Sequence, residues 1–103
     1  TYVEAARVLA QRAMKAEPDN AADRIQHVYK LLLVRSANYK ELKVLSSRLK
    51  KFTVEYTKDN KAALELLSVG ASKRDESLNA AEHAALSAIC LTILNLDESL
   101  SKQ

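Results

Sequence analysis

The chain has one glycine, one proline, one cysteine and no tryptophan in 103 residues. Each scarcity excludes something. An all-β fold needs a turn every few residues, and glycine and proline supply most of them. A phosphate loop or a dinucleotide fingerprint needs several glycines, so one glycine builds neither. A single cysteine allows no internal disulfide framework, no zinc site built on two or more cysteines, and no haem attached through a cysteine pair. It leaves the compartment open, since exported domains can also lack disulfides. The longest stretch without Asp, Glu, Lys, Arg or His, Ala84 to Leu96, is thirteen residues long. Spanning a bilayer takes about 20. No basic start followed by an apolar stretch marks a signal peptide in these residues.

What is present is helical spacing and a mild excess of base. Hydrophobic residues make up 48% and charged residues 28%, ordinary values for a globular chain. Sixteen Lys and Arg against thirteen Asp and Glu leave a net charge of +3, with a pI near 9.1. That excess bears on solubility and weak attraction to anions, and falls short of a nucleic-acid or membrane tail. The length allows one domain, residues 1–103, opening mid-pattern at Thr1 as an excised domain would.

Five helices are expected. The first spans about Val3 to Ala16, with Ala6, Leu9, Ala10 and Ala13 on one side, and stops before Pro18. Asn20 caps the second, about Ala21 to Arg35, whose stripe is Ile25, Val28, Tyr29 and Leu32. Asn38 and Glu41 form a capping box for the third, which runs to about Thr57 with a seam of Leu42, Leu45, Leu49, Phe52 and Tyr56. Asp59 or Asn60 caps a short fourth helix, about Lys61 to Val69, with Leu64 and Leu67 inward. Gly70 falls where that helix ends and can take the left-handed cap. Asn79 and Glu82 repeat the capping chemistry for the fifth helix, which reaches about Leu100 with Leu86, Ile89, Ile93, Leu96 and Leu100 on one stripe and Ala85, Ala88 and Thr92 on another. A helix apolar on so many sides belongs at the centre. The expected fold is therefore all-α: a compact five-helix bundle, orthogonal or up-down, around a central apolar C-terminal helix.

Candidate chemistry is sparse. Cys90 lies between Ile89 and Leu91, where burial makes a thiol inert. His27 and His83 lie on different helices without a second His or Cys one turn away, so each reads as a solvent-facing or structural histidine rather than a metal ligand. Adjacent Asp97 and Glu98 point about 100° apart on a helix and do not converge as a catalytic pair. Salt bridges or capping of a neighbouring segment suit them better. Asn95, if buried, would pin the Gly70–Asp75 loop. Residues 36–72 carry seven basic and four acidic groups, and Lys43, Lys50 and Lys51 are the candidates for anion binding. No residue is expected to be catalytic, to bind a cofactor or to ligate a metal.

Several segments resemble one family. These are Tyr2-Val3-Glu4-Ala5-Ala6-Arg7 with Leu9-Ala10, then Val69-Gly70-Ala71-Ser72-Lys73-Arg74-Asp75, Leu78, Glu82, and Leu94-Asn95-Leu96-Asp97-Glu98. They are similar to the C-terminal end of the domain of unknown function associated with planctomycete c-type cytochromes. In that family a valine-glycine-x-serine turn leads into a last helix that finishes on asparagine-leucine-aspartate-glutamate. The chain departs from the pattern at Tyr39 and Ala80, where the family often has proline, and near Leu86, where it has a tryptophan. The resemblance marks Gly70, Asp75, Glu82, Asn95, Asp97 and Glu98 as a structural signature. It implies the last part of a larger exported, periplasmic protein that can carry haem c elsewhere. Within that setting the expected role is non-catalytic docking toward the rest of that protein or a partner, with the first helix as the contact because its apolar positions are spread around it. The other expectation open from the residues is a small nucleic-acid-binding helical module using the lysines of the third helix.

Overall fold

Three asparagines start helices. The computed structural model describes residues 2–101, and side chains as far as residue 95. Asn20, Asn38 and Asn79 each accept, through Oδ1, the N–H three residues on, at 3.1, 2.9 and 3.0 Å. The helices are α1 (Tyr2–Ala16), α2 (Ala21–Leu33), α3 (Tyr39–Lys58), α4 (Asn60–Leu67) and α5 (Ala80–Ser101). At Asn38 the box is complete, because Glu41 accepts the Asn38 N–H at 3.0 Å. At Asn79 it is one-sided: the Glu82 carboxylate turns away and accepts from Arg24 at 3.0 Å. Each side-chain cap contributes about 1 kcal/mol.

Three details differ from the sequence expectations. α2 ends at Leu33, not Arg35, because Val34 enters the left-handed region (φ 58°) and its N–H bonds to the Lys30 carbonyl at 2.9 Å. A β-branched residue adopts that conformation at a cost of about 1–3 kcal/mol. In α4 the inward pair is Ala63 and Leu67, while Leu64 is partly exposed. Asp59 ends α3 and caps α4 through Ala62, and this immediate restart turns Ala63 and Leu67, one turn apart, toward Ala84 of α5. Gly70 has the expected positive φ (91°), but α4 has already ended at Ser68 in right-handed geometry, so Gly70 is not the cap.

α5 is central. His83, Ala84, Ala85, Leu86 and Ser87 are all buried, and five successive residues at 100° each cover the whole circumference of a helix. Each of the other four helices packs on it. Those four form a ring: α1 and α3 each touch α2 and α4, but α1 does not touch α3, nor α2 α4. The radius of gyration, 12.8 Å, is that of one domain of about 100 residues. Small residues allow the closest approach, and Ala6, Ala10 and Ala13 of α1 join Ala85, Leu86, Ile89 and Ile93 in the main core. Leu96 and Leu100 of the expected stripe lie outside the described side chains. No described helix is long and apolar enough to cross a membrane.

Candidate functional site

Glu4, Arg7, Gln11 and Lys15 recur at helical spacing, so they form one polar stripe along α1. That stripe holds the α4–α5 loop. Arg7 is 1% exposed; its Nε donates to the Val69 carbonyl at 2.7 Å and its Nη2 to the Ser72 carbonyl. The Ser72 N–H donates to Glu4 Oε2 at 2.9 Å, and the Asp75 N–H to Gln11 Oε1 at 2.9 Å. Lys15 Nζ lies 2.7 Å from Asp75 Oδ2, and Asp75 Oδ1 accepts from the Ser77 N–H and hydroxyl at 3.0 and 2.6 Å. A buried guanidinium is costly unless its donors are met, and two loop carbonyls with Glu4 at 4.0 Å meet this one. Hydrogen bonds from Ser72 lower the Glu4 pKa, and Lys15 holds Asp75 well below the usual carboxylate range.

Gly70 belongs to this clamp. A Cβ built there would fall 2.6 Å from Glu4 Cγ, so the missing side chain leaves room for the Glu4 carboxylate to reach Ser72. Gly70 thus combines a positive φ with a close approach.

His83 ties α5 to the same helix. Its Nε2 lies 2.8 Å from the Arg7 carbonyl oxygen. A carbonyl only accepts, so Nε2 carries the proton. Burial lowers the His83 pKa, opposed by the hydrogen bond to the Arg7 carbonyl and by Asp75, while the charges of Arg7 and Arg74 add to the lowering. His83 Nδ1 and Arg74 Nη1 are enclosed without a hydrogen-bond partner among the described residues. Cys90 is fully buried, and burial pushes its thiol up to about 12. His27 is half-buried on α2.

A second polar cluster locks the α2–α3 corner. Glu41 accepts both Arg35 terminal nitrogens at 2.9 Å, together with the Tyr29 hydroxyl. The Arg35 guanidinium lies 4.9 Å from the centre of the Tyr29 ring. Gln26 donates to the Ala37 carbonyl at 3.1 Å and accepts its N–H at 2.8 Å. Arg35, then Tyr29 and Asn38, hold the Glu41 carboxyl down to about 2.

The three candidate lysines are all exposed on α3. Lys50 borders a cleft of about 500 Å³ between the starts of α2 and α5 and the flank of α3. Lys43 and Lys51 border a shallow groove on the other flank, with Arg48 between them. None of these four cations pairs with a carboxylate among the described residues.

The signature residues do not form one site. Gly70 and Asp75 meet in the clamp. Glu82 sits elsewhere, paired with Arg24 beside the Glu17 and Pro18 carbonyls. Asn95 is exposed, and the hydrogen bonds that hold the loop among the described residues go to α1 rather than to Asn95. α1 supplies the anchors instead. The side chains of Asp97 and Glu98 lie outside the described residues. Sequence reasoning missed the four anchors, although their recurrence beside the alanine stripe was a usable signal. The residues present do not fit a c-type haem: covalent attachment takes two cysteines, and His83 is enclosed and committed to Arg7. Comparison with family models, curated proteins and solved structures finds no match to this chain.

Proposed function

We propose that the chain is a non-catalytic docking domain. It is the C-terminal part of a larger exported, cytochrome-associated protein, packed through α1 against the rest of that protein or a partner. One observation carries the reading. α1 turns Ala6, Arg7, Ala10 and Ala13 inward and leaves Tyr2, Ala5 and Val8, with Arg12 among them, in solvent within one 120° sector, Tyr2 being 68% exposed. An aromatic and a branched side chain in water, on a helix locked from behind, make a surface that another segment covers. Four reactive groups support a role without catalysis, because they are already engaged. Asp75 and Glu41 are held by cations, His83 by a carbonyl, and Cys90 is kept protonated by burial.

A second reading, a nucleic-acid-binding module using Lys43, Lys50 and Lys51, is favoured by the free cations of α3. It is favoured also by Tyr39, 78% exposed and one turn before Lys43. Salt-dependent retardation of DNA or RNA would support it.

The docking reading is tested with the polypeptide encoded upstream of Thr1, mixed in trans with this chain. Association detected by analytical ultracentrifugation, and lost in Tyr2→Glu/Val8→Glu, is expected. A gene that starts near residue 1, or no association at micromolar concentrations, would overturn it.

A further inference from the structure

The ring of helices places α3 across α5 from α1, so the docking face of α1 leaves the α3 side free. On that side lies the 500 Å³ cleft, a volume within the range that takes a bulky side chain or small ligand. Its floor is apolar, made by Leu49 and Leu86, and Val54, 47% exposed, stands on its wall. The Arg24–Glu82 ion pair borders it, and Arg24 already spends its donors on the Glu17 and Pro18 carbonyls and on Glu82. Lys50 is different. It stands at the cleft, exposed and without a carboxylate partner among the described residues. Lys43 precedes it by seven residues, two turns along the crest of α3 and within about 20° around the helix. It is likewise unpaired.

From this juxtaposition we infer that the cleft and the crest of α3 dock an acidic amphipathic helix of a partner protein. An apolar side chain of the partner fills the space above Leu49 and Leu86, and two of its carboxylates, seven residues apart, meet Lys43 and Lys50. The inference rests on the docking reading and adds a second face to it, opposite α1. Charge complementarity selects the occupant. Two ammonium groups on one line match two carboxylates on one helical face, and Leu49, Val54 and Leu86 offer an apolar side chain a place that a phosphate backbone does not use. Such a surface speeds encounter at low salt and rejects basic partners.

The test uses a 15-residue amidated helical peptide with glutamates seven apart bracketing leucines, its lysine-for-glutamate twin, and a twelve-nucleotide thymidine oligomer. Each is titrated into the isotope-labelled chain. Saturable methyl shifts at Leu49, Val54 and Leu86 with the acidic peptide alone are expected, weakening about tenfold in Lys43→Glu/Lys50→Glu. Both lysines are exposed, so the fold is retained, as the unchanged spectrum of the α1 core would show. Absence of saturable shifts, shifts that survive the double substitution, or shifts from the oligonucleotide but not the peptide would each overturn the inference. Failure here leaves the docking reading standing if the upstream polypeptide still associates with the double variant. Failure of that association in the unsubstituted chain removes the docking reading itself.

Discussion

The backbone carbonyl of Arg7 accepts the Nε2 proton of His83 at 2.8 Å, across 76 positions of sequence. The side chain of Arg7 meanwhile reaches the Val69 and Ser72 carbonyls. One residue of α1 therefore binds α5 through its main chain and the α4–α5 loop through its guanidinium.

Replacing Arg7 by Lys keeps the charge and loses the fork. The Val69 and Ser72 carbonyls cannot both be met by one ammonium group. The expected cost is about 2–3 kcal/mol, read as a lower denaturant midpoint at unchanged slope. Amide exchange at Ser72 and Asp75 should quicken more than exchange in α3, because the loop opens locally before the bundle does. A midpoint equal to that of the unsubstituted chain would show that the clamp contributes nothing.

Gly70 and Glu4 should be coupled. Gly70→Ala meets both a positive φ and the Glu4 side chain, and should cost about 1–3 kcal/mol. In a Glu4→Ala background the steric part disappears and only the backbone part remains. The double-mutant cycle should therefore show an interaction energy of at least about 0.5 kcal/mol. Additive effects would place the whole cost in the backbone.

Val34 is 87% exposed, so replacing it removes little burial while relieving left-handed strain. Val34→Gly should raise stability by about 1 kcal/mol, the relief exceeding the entropy that glycine adds to the unfolded chain. Thermal unfolding reads this directly, and a lower midpoint would contradict it. The strain persists because Arg35–Glu41 and Gln26–Ala37 hold the residues that follow.

Acid should unfold the chain in two stages. The His83 pKa is below 6.5 in the folded protein and near 6.5 in the unfolded chain, so the unfolded chain takes up the proton first as pH falls. Stability is then flat above about 6.5 and declines below it until the folded pKa is reached. A second decline begins near 4.5, the ordinary value for Glu41, and continues toward its folded value of about 2. Glu4 and Asp75, also lowered, add to that lower stage. His83→Gln, whose amide nitrogen can stand in for Nε2, should flatten the upper stage and leave the lower one. Urea midpoints measured from pH 8 to 3 decide it.

What could be read from sequence follows a physical division. Apolar periodicity reports which face of a helix is buried, so the central position of α5 was legible from its apolar residues on every side, and the α3 seam from Leu45 and Leu49. Caps act over three residues, so Asn20, Asn38 and Asn79 were legible as well. Polar partners across the fold were not. The place of Arg7 beside the alanine stripe hints at burial, but nothing local names the Val69 and Ser72 carbonyls that it meets. Nor does a local pattern reveal that Glu82 leaves its box for Arg24, or that Val34 turns left-handed. Asn95 was expected to pin the loop if buried, and it is exposed.

That α1, α5 and the loop are locked by groups turned inward is tested most directly by the nitrogen NMR spectrum of His83 across a pH titration. The expected result is an Nε2-protonated neutral ring at pH 7, with an apparent pKa below 6.5 and no titration in common with free histidine. An Nδ1-protonated ring, or a pKa at or above 6.5, would contradict it.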